Sequence, residues 1–338
     1  MSSDPYLDTV DELGAEERAK KERLAKLEIV SGAALLTTHY EKPKYLWQGV
    51  LPDAGLAICA ASKASGKTLL LLQLADAISR GRDFLGIPTT ESKVLYLQLE
   101  LSQRRTAQRL LKMGIVPCAN FDFAFRWPTG AEGLQALADS IEAQGYRLVI
   151  VDVLQLLWPI EADANSYQDV YAVLAPLRQL ANDLGVMIAL VTHRRKMETA
   201  DYLDGVMGSV AMQANADVLL TLIRSRGEEN AVLFLDGNDI EAQKLALDFC
   251  TDPLGYRLST ASPEELRQTP ERRRLIEYLR EHGGHGRTSE IATALGIDDS
   301  TVSRLLRRLA DNGLIVRTQY GEYTLLQKGI QTVQSVQT

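Results

Sequence analysis

The octapeptide ASKASGKT (residues 61–68) lies between the apolar run LAICA and the leucine-rich stretch LLLLQLADAI, and no other feature of the chain narrows its fold as much. A buried strand that breaks into a short loop and restarts as a helix is the setting a Walker A phosphate loop requires. In such a loop the backbone N–H groups of Ser62, Lys63, Ala64, Ser65 and Gly66 cradle phosphates, and the helix N-terminus adds its positive end. Lys67 reaches the outer phosphates, and the Thr68 hydroxyl is offered to Mg2+. Ala61 stands where the GxxxxGK[ST] pattern has its first glycine, and alanine serves there provided no positive φ is needed. ATP with Mg2+ is the expected ligand.

Around the loop, short apolar runs (56–60, 94–99, 148–154, 186–192 and 217–223) alternate with amphipathic stretches (67–79, 103–113, 133–144 and 167–184). The alternation predicts an α/β fold, a mostly parallel sheet flanked by helices, over residues 45–258. After Asp217 the segment DVLLTLIRSRGEENAVLFLDG changes to closely spaced strands, which predicts a hairpin at the sheet edge. STASPEELRQTP (259–270), polar and with two prolines, reads as a linker to a compact unit at 271–328, followed by a tail at 329–338. Residues 1–44 form a polar, helix-prone arm. Leu13, Leu24, Leu27 and Val30 recur there near helical spacing, which suits a solvated helix or one that docks on a neighbouring subunit.

The chain has 338 residues, 46% hydrophobic and 24% charged, enough for one large core and a smaller domain. Lys+Arg 37 against Asp+Glu 44 gives −7, which argues against a generally basic nucleic-acid binder. The balance is uneven: from Glu265 onward 11 basic residues accompany 9 acidic ones, against 26 and 35 in the remainder. Cys59, Cys118 and Cys250 are widely spaced among apolar neighbours, which excludes a disulfide framework and a CxxC metal site. No apolar run approaches a membrane span and no signal-peptide core precedes the fold, so a soluble, cytoplasmic protein is expected.

Three further strand ends carry chemistry. LVIVDVL ends an apolar strand on Asp152, a Walker B pattern in which the carboxylate holds the Mg2+ water shell; the other reading is a cap for the next turn. Val153 follows it, which excludes an arrangement with the catalytic glutamate directly after the aspartate. VLYLQLE instead places Glu100 at the end of the strand after the phosphate-loop helix, where it can orient and deprotonate the attacking water. It could also cap the helix beginning LSQRR, although Ser102 suits that role better. VMIALVTHRRK puts His193 where an imidazole could sense the γ-phosphate and relay its state to Arg194, Arg195 and Lys196. An ordinary surface histidine beside a solvated basic run would read the same.

Taken in order, these motifs resemble the RecA-like P-loop ATPase core, and more closely the RepA-like hexameric helicases and related phage and plasmid AAA-type ATPases. WQGVLPDAGLAICAASKASGKT is similar to that family's approach to the phosphate loop, LYLQLE to its glutamate strand, LVIVDVLQLL to its Walker B strand and VTHRRK to its sensor. LDGVMGSVAMQANADVLLTLIRSRG followed by GNDI is also similar. The resemblance implies ATP bound between subunits of a homo-oligomeric ring, a hexamer being favoured. It implies a finger residue reaching into the neighbour's site, for which Arg224 and Arg226 are the candidates; a solvated hairpin tip is the alternative. It further implies single-stranded DNA in a central channel, contacted by segments 155–166 and 194–209. The second carries Arg194, Arg195 and Lys196, whereas the first is acidic and has Trp158 as its one aromatic.

The tail, TPERRRLIEYLREHGGHGRTSEIATALGIDDSTVSRLLRRLADNGLIVRTQYGEYTLL, reads as helix, helix, turn, helix and a two-stranded wing, and resembles a winged helix-turn-helix domain. Gly296 supplies the turn. Residues 300–311 form the candidate recognition helix. Ser300, Thr301, Ser303, Arg304, Arg307 and Arg308 lie on its polar face; Leu305, Leu306 and Leu309 point inward, and Val302 could join them. Duplex DNA is the expected partner, with protein docking as the alternative. His282 and His285 lack acidic or cysteine partners at ligand spacing, which argues against a metal site. The expected function is an ATP-dependent, ring-forming DNA motor, a replicative-type helicase or loader of a plasmid, phage or integrated element. An ATP-switched DNA-binding regulator without unwinding activity is the other reading, and a small-molecule kinase a distant third.

Overall fold

The computed structural model describes residues 21, 29–39, 44–154, 166–193, 212, 214–224, 228–266, 270–311 and 313–326, without the side chains of 264, 270 and 273. Within the N-terminal unit, Met1–Pro43, a short helix α1 (Gly32–Thr37) starts at Ser31, whose hydroxyl accepts from the Ala34 N–H at 3.1 Å. The expected helix over Leu13, Leu24 and Leu27 lies outside the described residues.

The second unit opens with two short strands, β1 (Tyr45–Trp47) and β2 (Leu51–Pro52), which lead into β3 (Gly55–Ala61). Helix α2 (Lys67–Arg80), β4 (Val94–Gln98), α3 (Gln103–Lys112), β5 (Phe121–Ala124), α4 (Gly130–Gln144), β6 (Leu148–Asp152), α5 (Tyr167–Leu184) and β7 (Met187–His193) follow in alternation. Four strands close the core: β8 (Val218–Ile223), β9 (Asn230–Gly237), β10 (Gln243–Thr251) and β11 (Leu254–Leu258). The sheet runs β11-β10-β9-β8-β3-β7-β6-β4-β5, parallel from β8 to β5 and antiparallel from β8 to β11.

Every residue of β3, β4 and β6 is buried, which is why these segments read as continuous apolar runs: a parallel strand covered on both faces has no side to give to water. Alternation along the strands still divides the core in two. Ala57, Cys59, Tyr96 and Ile150 face α2, while Leu56, Ile58, Leu97 and Val151 face Leu137 and Ile141 of α4 and Val170 and Leu174 of α5.

Over the core and the stretch that follows it, the structure differs from the sequence-based expectations or adds to them in three places. The hairpin expected at the edge is β8–β9, but β8 pairs with β3 and the outer position belongs to a second hairpin, β10–β11. Its turn, Asp252-Pro253 beside Gly255, hides a strand behind a loop-like composition. Second, β5 (FDFA) is absent from the expected strands; it is too short to show a period. Third, the stretch expected as a linker contains helix α6 (Pro263–Leu266). Ser262 and Glu265 cap it reciprocally, with Glu265 N donating to the Ser262 hydroxyl at 3.2 Å and Ser262 N to the Glu265 carboxylate at 3.3 Å.

The C-terminal domain comprises α7 (Pro270–Glu281), β12 (His285–Arg287), α8 (Thr288–Leu295), α9 (Asp299–Asp311), β13 (Ile315–Gln319) and β14 (Glu322–Leu325). The wing sheet has three strands in the order β12-β14-β13, one more than expected, because His285–Arg287 pairs with β14. Val302, Leu305, Leu306 and Leu309 are buried against Leu275, Leu279, Ile291 and Tyr323, as the amphipathic pattern of α9 requires. Gly296 ends α8 at φ +66, the left-handed turn a glycine adopts without strain. No helix among the described residues is long and apolar enough to cross a membrane.

Leu306 is fully buried in this small core. Leu306→Ala is expected to cost the C-terminal domain about 2–5 kcal/mol. The measurement is amide hydrogen exchange, which should accelerate in β12–β14 and α7–α9 and stay unchanged in β3, β6 and β7.

Candidate functional site

The carboxyl ends of β3, β4, β6 and β7 lie side by side, since Ala61 pairs with His193 and Gln98 with Asp152. In an open parallel sheet this rim is where ligands bind. Ala61 is the last residue of β3, fully buried and with ordinary extended backbone, so the position needs no glycine. The left-handed positions of the loop are Ala64 (φ +64) and Gly66 (φ +91). Ser65 N and Oγ both donate to the Ser62 carbonyl, at 3.2 and 2.7 Å, which closes the loop into a tight turn. Ser62 is half-buried, while Lys63 and Ala64 are exposed. Gly66 is the N-cap of α2 with no side-chain cap, which leaves the first helical N–H groups for an anion.

Lys67 is buried, and its Nζ lies 3.3 Å from His193 Nδ1. Burial, then the Lys67 charge, pushes the His193 imidazole below its ordinary value, with Glu100 and Asp152 opposing. The neutral ring can therefore accept from the Lys67 ammonium. Asp152 has no exposed surface, and burial raises its carboxyl; the Thr68 and Tyr96 hydroxyls and the Lys67 charge pull it back, while Glu100 raises it further. Tyr96 Oη donates to Asp152 Oδ2 at 2.8 Å, whereas Oδ1 is buried with no hydrogen-bond partner. An orphaned carboxylate oxygen beside the Thr68 hydroxyl is a donor set that suits a hydrated Mg2+ ion. Glu100 is exposed two residues beyond β4, and Ser102, not Glu100, occupies the N-cap of α3. Lys67, Thr68, Asp152, His193 and Glu100 are thus one electrostatic cluster. Cys59, on β3, is held protonated by burial, its thiol pushed up to about 12.

Several residues of the site carry no plain mark in the sequence. Tyr96 and Gln98 place polar groups in a fully buried strand, and that mismatch is the available signal. Gln98 Oε1 accepts from Leu101 N at 3.2 Å while its Nε2 is unpartnered. Tyr256, on β11, donates from Oη to the Ser65 carbonyl, and nothing in GYRL announces it.

Arg224 is engaged within its own chain: its Nε donates to the Glu228 carbonyl at 2.7 Å and its guanidinium lies 3.7 Å from the Phe249 ring centroid. Stacking of this kind contributes about 0.5–2 kcal/mol. Arg226, Arg194, Arg195 and Lys196, and segments 155–165 and 194–209, lie outside the described residues.

In the C-terminal domain Arg304, Arg307 and Arg308 are exposed along α9. Asp298 caps this helix, accepting from Ser300 Oγ at 2.5 Å and Thr301 N at 2.8 Å, bonds that hold its carboxyl well below the usual range. Ser300 and Thr301 are thereby partly committed to the helix start, and Ser303 is half-buried. His282 stacks on Tyr278 and His285 Nδ1 lies 2.9 Å from Thr324 Oγ1; no metal-holding cluster occurs among the described residues.

Residues 20–199 match the family model of an AAA domain, and residues 274–319 that of the IclR helix-turn-helix domain. Among solved structures, one described as an ATPase domain matches with a TM-score of 0.51 at 15% identity, over 61% of this chain and 85% of that one. A DnaB-like replicative helicase, solved in a study of its interactions with primase, gives 0.50 at 16% identity, over 60% of this chain and 57% of that one. These likenesses establish a RecA-like fold. No curated protein matches significantly by sequence.

An NMR titration should find His193 protonating below 6.5, the value of a free imidazole. Between its depressed value and 6.5 the unfolded chain binds a proton that the folded chain does not, so this group adds stability as pH rises through that window. Titration at or above 6.5 would contradict the burial and the Lys67 contact.

Proposed function

Since the chain belongs to the AAA-domain family and carries an IclR-type helix-turn-helix domain, we propose that it is an ATP-hydrolysing, ring-forming motor on DNA, a helicase or helicase loader of a plasmid, phage or integrated element. The observation that carries this reading is the convergence of Lys67, Asp152, His193 and Glu100 on the rim of a RecA-like sheet.

The residues divide the work of hydrolysis. The loop N–H groups and Lys67 bind the β- and γ-phosphates and neutralise charge that grows in the transition state. Thr68 and Asp152 hold Mg2+, which supplies charge stabilisation across the phosphates when bound. Glu100 orients a water and takes its proton as the water oxygen bonds to the γ-phosphorus; the bond to the β-phosphate oxygen breaks and ADP leaves with the electron pair. His193 reads the γ-phosphate, being already within reach of the lysine that binds it. One of the two arginines after β8 completes the site of the next subunit, making turnover depend on a homo-oligomer, with a hexamer preferred. Arg194, Arg195 and Lys196 track single-stranded DNA in the channel.

Glu100→Gln should retain nucleotide binding and lose about 10²–10⁴-fold in hydrolysis. The decisive assay is ATP turnover with and without single-stranded DNA, with particle size measured in the same buffer. Stimulation by DNA in a ring, abolished by Glu100→Gln, is the expected result; a strict monomer with DNA-indifferent turnover would refute the motor.

A second reading, an ATP-switched regulator, draws on the row of exposed arginines on α9. Duplex binding by this helix is expected in either case. Arg307→Ala and Arg308→Ala should each weaken it uniformly across sequences and lower the slope of log K against log salt by about 1. Tight binding to one duplex sequence with negligible ATP turnover would favour the regulator.

A further inference from the structure

We infer that strand β4 orients both acids of the ATP site: the Tyr96 hydroxyl aims the Asp152 carboxylate, and the Gln98 amide holds the turn that carries Glu100. Both are positioning residues, and their roles rest on the reading above of Asp152 as the Mg2+ acid and Glu100 as the base.

Strand β4 reads VLYLQ, and all five of its residues are buried. Polar groups destabilise such a strand unless their hydrogen bonds are met, and an apolar side chain of similar size would fill either position without that penalty. Tyr96 and Gln98 lie two residues apart and so point to the same face of the sheet, the one covered by α2. Asp152 projects to that face as well: Gln98 pairs with Asp152, and Tyr96 with Ile150, which packs in the α2 half of the core.

Each polar group serves one acid. Tyr96 is fully buried, its ring 5.6 Å from that of Phe123 and 6.5 Å from that of Phe121, and its Oη donates to Asp152 Oδ2 at 2.8 Å. A carboxylate gripped by one oxygen has its rotation fixed, and with it the direction of the other oxygen, Oδ1. Gln98 acts just beyond the end of the strand. Leu99 N donates to the Asp152 carbonyl at 2.9 Å, and Leu101 N donates to Gln98 Oε1 at 3.2 Å. The backbone is therefore held immediately before and immediately after Glu100, while the Glu100 side chain stays exposed at the rim. The other half of the amide, Nε2, is buried and finds no hydrogen-bond partner among the described residues. A half-satisfied buried amide is a poor device for stability alone, and the half that is satisfied is the one that shapes this turn.

Two near-isosteric variants of the full chain separate the roles. For Tyr96→Phe the measurement is ADP affinity, read as the ratio of Kd in EDTA to Kd in Mg2+. That ratio should fall about tenfold, the scale of a lost partner to a metal-holding carboxylate, while the Kd in EDTA stays as in the wild type. An unchanged ratio, or equal weakening with and without Mg2+, would overturn the Tyr96 role. A wild-type ratio of one would refute Asp152 as the Mg2+ acid, and the Tyr96 role with it.

Gln98→Met, which keeps the length of the side chain and removes the acceptor, should leave both ADP affinities unchanged and lower kcat about ten- to a hundredfold, the effect of a displaced base. In a Glu100→Gln background it should lower single-turnover hydrolysis no further, because the two residues act through one carboxylate. An additive loss in that background, an unchanged kcat, or weakened ADP binding would overturn the Gln98 role. An unimpaired Glu100→Gln protein would refute the base itself and the Gln98 role with it. The Tyr96 role would still be decided by ADP binding, which needs no hydrolysis.

Discussion

Strand β3 has neighbours on both edges and buried residues along its whole length, and the rest of the site follows from that confinement. Its backbone N–H and C=O groups are taken up by β7 and β8, and its side chains by the two halves of the core. A chain so enclosed can do chemistry only where it leaves the sheet. That is where it turns through Ser62–Ser65 into α2, and the register of β4, β6 and β7 brings Asp152, His193 and the approach to Glu100 to the same rim.

The rim is an exercise in balancing buried charge. Asp152 in isolation would be driven toward its neutral form; Tyr96, Thr68 and Lys67 offset that pressure, while one oxygen remains without a partner. Lys67 in turn finds a neutral acceptor in His193. Such groups make poor ornaments for stability, because leaving any of them unmatched costs more than pairing returns. Their concentration at one end of the sheet is therefore better understood as provision for a charged ligand.

How much of this could be read from the sequence depended on whether the signal was local. SGKT between an apolar strand and a leucine-rich helix is local, and so are the strand-ending acids and the apolar face of α9. The α/β class and the helix-turn-helix tail follow from such patterns. The edge hairpin did not, because CTDPLGYRL mixes strand residues with a Pro-Gly turn and its pairing partner is decided by tertiary contacts. Nor did Tyr256 or Gln73, which matter through contacts more than 180 residues apart in sequence. At Ala61 the expectation held: the consensus glycine position is plain strand, and the unusual backbone falls on Ala64 and Gly66.

The tie between Tyr256 and Ser65 joins residues 191 positions apart, with Gln73 reinforcing it. The phosphate loop emerges early during synthesis, but its buttress belongs to the last strand of the core. A nascent chain therefore carries an unbraced loop on the ribosome until β11 is released and docks on α2. The loop gains this contact only with the completion of the core, and a chain truncated before Tyr256 would present the motif without it.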